Sequence, residues 1–289
     1  GNGNEIYNIY DTDTKSWSRL HKNQFLDGEG LMSGYFEGPT LGPDGFFHLI
    51  WVWRGTPNAA TNHDLSYAKS ADLVNWTDSN NNPLTLPLTL KHSEIVADVP
   101  AFGGMINGNV KLGFDQDKNV IISYHRYDEN GDTQMFVARK DGTNWKSKKI
   151  SDWQGFRWDF GGGGSLGRFP VKPHNPKVLD DNTIGIPVRK HDDQLLFVLD
   201  KDSLETLRVE PTALYPQSIK PITLHANRFM DEFAETPLEH QVFTGVGETT
   251  DNKSKFYLSW QSQPGNRDRA HGSITKPSTL LLHEFKKNQ

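Results

Sequence analysis

Residues 42–76 read GPDGFFHLIWVWRGTPNAATNHDLSYAKSADLVNW and hold two strand-like runs with the connections around them. A Pro-Asp-Gly turn leads into a run of aromatic and aliphatic residues that ends at Arg54. A loop of small residues and the tripeptide Asn-His-Asp precede the second run, which ends in an acidic hairpin closed by Trp76. Short apolar runs bounded by Gly, Pro, Asn and Asp are typical of antiparallel strands, and no helical period interrupts them.

Both parts of this stretch recur along the chain. A strand, an acidic turn and a tryptophan or its substitute occur in IYNIYDTDTKSW (Trp17), LSYAKSADLVNW (Trp76), MFVARKDGTNW (Trp145) and LLFVLDKDSLETL (Leu207). A turn followed by a strand occurs in GPDGFFHLIWVW (Asp44), DQDKNVIISY (Asp117), LDDNTIGIPV (Asp181) and TDNKSKFYLSW (Asp251). Because the two series alternate, one repeat is strand, turn, strand, loop, strand, acidic hairpin and strand, which describes a four-stranded antiparallel blade.

Radial repetition of such blades predicts an all-β fold, the β-propeller. We count about four and a half blades: half of one at residues 5–20 and four from residue 31 onward. A closed propeller needs whole blades, so we expect either a segment of a larger ring or a five-bladed ring with strands still to be found. The domain prediction is a single β-propeller over residues 1–289, or the C-terminal portion of one.

The acidic hairpins resemble degraded forms of the S-x-D-x-G-x-T-W turns of sialidase-like propellers. Aspartate in such a turn accepts backbone N–H groups, and the tryptophan ring packs between blades. We therefore predict that these Asp and Trp residues are structural and do not take part in catalysis.

Composition excludes several classes of protein. The net charge of −5 is unsuited to a nucleic-acid interface, which needs a basic surface. The absence of cysteine excludes disulfides and thiolate metal sites. No apolar run is long enough to span a membrane, and no signal peptide is visible. Because the chain opens abruptly on GNGN, we expect the natural sequence to begin earlier.

Several longer strings stand out beside the stretch at residues 42–76: GNGNEIYNIYD, LPLTL, NGNVKLGFDQD, SYHRYDENGDTQMFVAR and WQGFRWDFGGGGS. Together with that stretch, they resemble the BNR-repeat propellers that include ulvan lyases. The combination WR-x-TP-x₃-TNHDLSYA-x-S is far more specific than any acidic hairpin alone. The similarity is close over about residues 1–167 and is limited to the blade pattern beyond them.

The resemblance implies a seven-bladed propeller that cleaves uronic-acid polysaccharides by β-elimination. It also implies a secreted or periplasmic location. In the family, two histidines and a tyrosine–arginine pair lie in blades upstream of GNGN, and would precede Gly1 here. A tyrosine between GNGN and the WVWR strand, which lies at the active site in some members, corresponds to Tyr35.

Cleavage of a 4-linked uronate requires three chemical functions. The carboxylate must be neutralised, the C5 proton must be removed by a base, and the departing O4 must be protonated. Arginine suits the first function because its planar fork binds a carboxylate through two hydrogen bonds. Tyrosine or histidine suits the other two, so the candidate catalytic residues are Tyr35, Arg54 and His63.

Each candidate also has a structural interpretation that the sequence leaves open. Arg54 could pair with Asp64 or Asp72 and hold the edge of the blade. His63 could bond backbone carbonyls and fix the preceding loop, and Asp64 need not touch it because adjacent strand residues point to opposite faces. Tyr35 could pack between blades.

The predicted substrate-binding residues lie beside these candidates and in the next blade: Asn62, His125, Arg126, Arg157 and Trp158. The repeat assigns His125 and Arg126 the positions of Trp53 and Arg54, and the alternative for both is a solvated blade edge. Trp158 could stack on a sugar face. The glycines at 161–164 indicate a need for backbone freedom or for close approach of the backbone, because no helix or Lys-Ser/Thr follows as in a phosphate loop.

The predicted partner is an anionic polysaccharide, with neither nucleic acid nor membrane, and the sequence leaves the oligomeric state open. No cofactor is indicated, since the 11 histidines are scattered and no H-E-x-x-H motif occurs, although loops could assemble a structural Ca²⁺ or Zn²⁺ site. A sialidase-like glycoside hydrolase and a non-catalytic carbohydrate-binding propeller remain alternatives to the lyase.

Overall fold

The computed structural model of the chain describes residues 4–167, 169–214, 218–219, 239–244, 254–262, 267–269 and 279–286. These residues form strands, turns and two short 3-10 helices, at Ala59–Thr61 and Leu90–His92. None of the helices in the described ranges has the length and apolar character needed to cross a membrane. The chain divides into two compact units, Gly1–Gly163 with Pro170–Thr212 and Gly164–Phe169 with Ala213–Gln289.

The first unit contains one two-stranded hairpin and three larger antiparallel sheets, which we number as blades I to III. The hairpin consists of β1 (Asn8–Asp11) and β2 (Ser16–Arg19). Blade I consists of β3 (Ser33–Leu41), β4 (Phe47–Arg54), β5 (Asn62–Ser70), β6 (Trp76–Thr77) and β7 (Glu94–Ala97). Blade II consists of β8 (Lys111–Phe114), β9 (Val120–Tyr127), β10 (Thr133–Asp141) and β11 (Asn144–Lys149). Blade III consists of β12 (Val171–Pro173), β13 (Lys177–Val178), β14 (Thr183–Lys190), β15 (Asp193–Asp200) and β16 (Thr206–Pro211).

Each blade follows the order predicted from the repeat. Its four main strands pair in chain order, β3-β4-β5-β6, β8-β9-β10-β11 and β12-β14-β15-β16. The extra strand β7 pairs with β5, and β13 pairs with β14. The prediction of an all-β propeller built from four-stranded antiparallel blades is confirmed.

The second strands of blades I and II are buried on both faces, because each lies between two hydrophobic cores. In β9, Ile122 and Tyr124 enter the core shared with blade I, whereas Ile121 enters the core shared with blade III. In β4, Ile50 faces blade II and Trp51 enters a separate core on the other side. Successive strand residues point to opposite faces, so both sets of positions are mostly apolar.

Polar side chains join neighbouring blades at their inner strands. Asn109 Nδ2 donates to Val171 O at 2.9 Å, and Asn175 Nδ2 donates to Leu112 O at 2.7 Å, both between blades II and III. Lys111 pairs with Glu37 across blades I and II. These bonds satisfy backbone and charged groups that the packing of the sheets removes from water.

Three of the four acidic hairpins have the structural role predicted for their aspartates, whereas Asp141 of the hairpin before Trp145 pairs with Lys146 instead. Asp72 Oδ1 accepts the backbone N–H groups of Val74 and Asn75 at 2.9 and 2.7 Å, and these bonds hold the pKa of its carboxyl well below the usual range. Asp11 and Asp200 cap their hairpins through the same bonds to residues two and three positions later.

The predicted packing of the residue that ends each hairpin is correct for Trp76 and Trp145 and wrong for Trp17 and for Leu207, which replaces the tryptophan. Trp76 is buried against Phe25, and Trp145 packs on Tyr67 of blade I with ring centroids 5.3 Å apart. Trp17 is 71% exposed, because β1 and β2 pair only with each other among the described residues and no sheet covers its ring. Leu207 is 55% exposed, and the buried position in its hairpin belongs to Leu204.

The second unit contains a three-stranded antiparallel sheet of β17 (Glu239–Thr244), β18 (Ser254–Ser262) and β19 (Leu281–Lys286). Within it, Tyr257 packs on Phe285, and the hydroxyl of buried Ser259 lies 2.8 Å from His283 Nε2. The repeat marker Asp251 lies outside the described residues.

A buried chain of hydrogen bonds fixes the start of β4. His48 is 1% exposed, with Nε2 3.0 Å from Asp44 Oδ1 and Nδ1 2.7 Å from the hydroxyl of Tyr67. The ionised Asp44 only accepts, so Nε2 carries the hydrogen and Nδ1 accepts from Tyr67. Burial lowers the pKa of His48, which agrees with a neutral ring in this position.

We predict that Tyr67→Phe destabilises the protein by about 1–3 kcal/mol, because it leaves the buried Nδ1 of His48 without a donor. Urea unfolding followed by tryptophan fluorescence measures the loss. The matched control is Tyr10→Phe, since Tyr10 is 43% exposed in the outer hairpin. Equal unfolding midpoints for the two variants would show that the hydrogen bond contributes nothing to stability.

Candidate active site at the rim of blades I and II

The predicted site residues lie along one rim of two adjacent blades. Tyr35 and Arg54 share the face of blade I that meets blade II, whereas His63 pairs with Trp53, whose side chain enters the core on the other face. Ser33 at the start of β3, Arg54 at the end of β4 and Asn62 at the start of β5 are consecutive cross-strand partners. In blade II the equivalent rim contains the end of β9 and the segment after β11. Antiparallel strands joined in sequence bring these ends together, so the rim collects residues that are distant in the sequence.

Arg54 is held by the loop that follows it. Its Nε donates to Thr56 O at 3.0 Å and its Nη2 donates to Pro57 O. The guanidinium carbon lies 5.5 Å from the centre of the Tyr35 ring, close enough for a cation–π contact. No carboxylate of the described residues pairs with Arg54, so the expected alternative of an ion pair with Asp64 or Asp72 is wrong.

Tyr35 is 36% exposed on the strand next to Arg54. It stands directly opposite Val52, whose side chain enters the core between blades I and II, so Tyr35 lies at the rim of that interface. Its ring contacts the Arg54 guanidinium, and its hydroxyl makes no hydrogen bond to any described residue. The hydroxyl is therefore available to a ligand.

The loop that anchors Arg54 is itself locked onto the glycine-rich segment after blade II. Asn58 Oδ1 accepts from Ala60 N at 3.1 Å and from Gly162 N at 2.7 Å, while Ala59 N donates to Gly162 O at 2.9 Å. At Gly161 an added Cβ would lie 3.2 Å from Asn58 Oδ1. Gly162 has a φ of 79° and Gly164 a φ of 76°, in the left-handed region that favours glycine, which agrees with the predicted need for backbone freedom.

His63 forms a close pair with the residue that follows it. Its Nδ1 lies 2.8 Å from Asp64 Oδ2, and the two side chains are 15% and 19% exposed. The alternation of a regular strand does not require this contact, and it forms because the strand is irregular here: β4 and β5 change register between Val52 and Trp53. Nδ1–H donates to the carboxylate, and Nε2 has no hydrogen-bond partner among the described residues.

Asn62 is completely buried and supports the loop from below. Its Nδ2 donates to Ala59 O at 2.6 Å and its Oδ1 accepts from Asn107 N at 3.2 Å. Both ends of the amide are thereby occupied, which ties the start of β5 to the connection before blade II.

His125 is also buried, at 1% exposure, and packs on Trp158 with ring centroids 5.3 Å apart. Burial lowers the pKa of His125 to about 4, so the ring is neutral at ordinary pH. The expected alternative of a solvated edge is wrong for this residue, because Trp158 covers it.

Arg126 and Arg54 do not occupy equivalent positions. The Arg126 guanidinium lies 4.4 Å from the centre of the Phe136 ring, which belongs to the core between blades I and II. Arg126 therefore faces this interface from blade II, and Arg54 borders it from blade I. The prediction that Arg126 occupies the position of Arg54 is therefore wrong by one residue. The residue of β9 at that position is Tyr127, and because strand neighbours alternate between faces, Arg126 and Tyr127 point to opposite sides of the blade.

Arg157 forms a second arginine–tyrosine stack in blade II. Its guanidinium lies 3.8 Å from the centre of the Tyr127 ring, and its Nε donates to Asp159 Oδ1 at 2.8 Å. The Tyr127 hydroxyl donates to Trp158 O at 2.7 Å, and burial raises the pKa of Tyr127 to about 12. Unlike Arg54, Arg157 already has a carboxylate beside it.

Two residues that shape this rim, Asn58 and Tyr127, were not singled out from the sequence, and Asp64 was considered without its pairing to His63. The sequence spacing alone identifies Tyr127, because it follows the turn aspartate Asp117 by the same ten positions that separate Arg54 from Asp44. The role of Asn58 depends on a contact with Gly162, 104 residues further along the chain, and the role of Asp64 depends on an irregularity of the strand. Neither feature has a local sequence signal.

Within the described ranges, no group of three or more His, Asp or Glu side chains is placed to hold a metal ion.

We predict that His125→Phe flattens the acid side of the stability curve. The pKa of His125 is about 6.5 in the unfolded chain and about 4 in the folded protein, because burial disfavours the charged ring. Above pH 6.5 the histidine is neutral in both states and does not lower the free energy of unfolding. As the pH falls towards 4, only the unfolded chain binds the proton, and the free energy of unfolding falls by up to about 3 kcal/mol. Urea midpoints from pH 7 to 4.5 measure this, with exposed His92→Gln as the control. A variant curve as steep as that of the wild type would contradict the assignment.

Two solved structures of an ulvan lyase, described as a new family of polysaccharide lyase (PL25), have a similar fold. The first gives a TM-score of 0.56 at 11% sequence identity. The second, bound to -[GlcA(1-4)Rha3S]-, gives 0.57 at 12% identity. Each comparison covers 98% of this chain and 59% of the lyase, so the chain spans 59% of the length of the structures it matches.

No curated protein matches the sequence. The family model for BNR repeat-containing proteins matches residues 1–153, which is more than half of the 289 residues. The chain, with its propeller blades, belongs to this BNR-repeat family, which includes ulvan lyases.

Proposed function

We propose that this protein is a polysaccharide lyase that cleaves an ulvan-like, uronate-containing polysaccharide by β-elimination. The proposal rests on the orientation of the Arg54 side chain and on its lack of a carboxylate partner among the described residues. Its guanidinium is oriented by two backbone carbonyls and the Tyr35 ring, yet none of the described carboxylates neutralises it. A fixed, uncompensated guanidinium is suited to bind the carboxylate of a uronate through two hydrogen bonds.

The proposed reaction assigns one role to each catalytic residue. Arg54 neutralises the uronate carboxylate, so that the proton on C5 becomes acidic. Nε2 of His63 accepts this proton, and the electron pair it leaves forms the C4=C5 double bond as the C4–O4 bond breaks. The Tyr35 hydroxyl donates a proton to O4, and proton return from the histidine to the phenolate restores both groups.

The predicted substrate-binding residues have two kinds of role in this proposal. Arg157 is exposed and Trp158 is half-buried, so they contact neighbouring sugars along the rim, and Arg126 adds positive charge from blade II. Asn62 and His125 are buried and do not contact the substrate. Asn62 holds the loop in place, and His125 packs against the Trp158 ring.

Two comparisons support the choice of substrate. The family that contains this chain includes ulvan lyases, and one structure of similar fold was solved with a glucuronate–sulfated rhamnose fragment. A polysaccharide substrate agrees with a secreted or periplasmic location, and we extend the proposal to that location. We also propose that residues 1–289 belong to one propeller domain.

We predict that Arg54→Lys lowers kcat/KM by about 100-fold or more, because an ammonium cannot reproduce the planar fork that stabilises the developing charge. The assay follows the ultraviolet absorbance of the unsaturated uronate formed from ulvan. Arg208→Lys is the matched control, since Arg208 pairs with Glu210 on the outer strand of blade III. Control activity equal to that of the wild type is expected.

The same assay separates the lyase from its alternatives. Reducing ends without the absorbing double bond would overturn the lyase in favour of a glycoside hydrolase. Binding of ulvan without any cleavage would indicate a carbohydrate-binding propeller. Full activity in Arg54→Lys would remove Arg54 from the mechanism.

A further inference from the structure

The pair formed by His63 and Asp64 carries an inference about how the base is prepared. We propose that Asp64 is a positioning residue that fixes the ring orientation and the tautomer of His63, so that Nε2 is the atom presented to the substrate. This inference rests on the proposed lyase function for its catalytic consequence, but the pairing itself can be tested without activity.

The local backbone is what allows the two side chains to meet. In a regular strand, neighbours point to opposite faces, and the Asp64 carboxylate would lie on the far side of the sheet from the His63 ring. Across the register change, Val52 pairs with Leu65 and Trp53 pairs with His63, which leaves Asp64 as the extra residue of a β-bulge.

Asp64 adopts a backbone conformation that few residues tolerate. Its φ is 42°, in the left-handed region, where aspartate and asparagine occur more often than other residues with a side chain. The conformation is held by a hydrogen bond of 2.9 Å from Asp64 N to Val99 O. Bulges that re-aim a side chain are frequent beside active sites, and this one turns a carboxylate towards its neighbour.

The contact determines which nitrogen of His63 carries the hydrogen. The carboxylate Oδ2, 2.8 Å from Nδ1, accepts a hydrogen bond, so Nδ1 is protonated and Nε2 has a free lone pair. Without this partner, the ring could rotate and exchange tautomers. The second nitrogen of a catalytic or metal-binding histidine is commonly fixed by such a hydrogen bond.

Two variants separate loss of the carboxylate from strain in the backbone. Asp64→Gly removes the carboxylate and adopts a positive φ without strain, whereas Asp64→Asn keeps the shape and tolerates the left-handed region. In both variants we expect kcat to fall by about 10²-fold or more, with KM within about threefold of the wild type, because a misdirected base loses most of its contribution. Lys118→Gly, at another position with φ of 67° far from the rim, is expected to leave kcat unchanged.

The tautomer is measured directly from the ¹⁵N chemical shifts of histidine at neutral pH. We expect the Nδ1–H form for His63 in the wild type and a shift towards Nε2–H in Asp64→Gly. An unchanged tautomer, or unchanged kcat in both variants, would overturn the positioning role. Spectra as predicted in a protein that does not cleave uronates would leave the pairing intact and reject the lyase function alone.

Discussion

Burial of both faces of the second strand in blades I and II is the constraint on which the rest of this structure depends. In these blades the strand lies between two hydrophobic cores, so most positions are apolar until the strand reaches the rim. Polar residues are therefore concentrated at the strand ends. Arg54, Arg126 and Tyr127 are the first residues beyond this burial, and each contacts an aromatic ring or a cation at the rim.

The same constraint explains how the rim becomes a defined site. Side chains at a strand end are only partly covered, so their orientation depends on the loops that follow. Asn58 and the glycine backbone at residues 161–162 lock two such loops together, and the locked loop supplies the carbonyls that orient Arg54. Buried Asn62 and His125 support this layer from the blade side. A fixed arrangement of charge is what stabilisation of a developing anion requires.

The fold was largely predictable because strands buried on both faces appear in the sequence as apolar runs that recur at regular intervals between turn residues. Acidic turns before apolar runs gave the blade order, and the aspartate hydrogen bonds of the hairpins followed from the chemistry of the turn. The errors at Trp17 and Leu207 have a different origin, since the exposure of a side chain depends on which sheet covers it. Sequence repetition carries no information on that point.

The candidate site was predictable only as a set of residues at one rim. The structure added the distinction between Arg54, which has no carboxylate partner, and Arg157, which has one in Asp159. It also added the pairing of His63 with Asp64, which depends on a bulge. A one-residue change of register reverses which face a side chain occupies, and the sequence pattern cannot locate such a change.

The most direct test of the lyase mechanism is the fate of solvent oxygen during cleavage. β-Elimination breaks the C4–O4 bond without adding water, whereas hydrolysis incorporates one water molecule into the products. Mass spectrometry of ulvan fragments produced in H₂¹⁸O distinguishes the two. The lyase mechanism predicts non-reducing ends that are lighter by one water than hydrolytic ends, because they carry the C4=C5 double bond. Non-reducing fragments that contain the added water would contradict it.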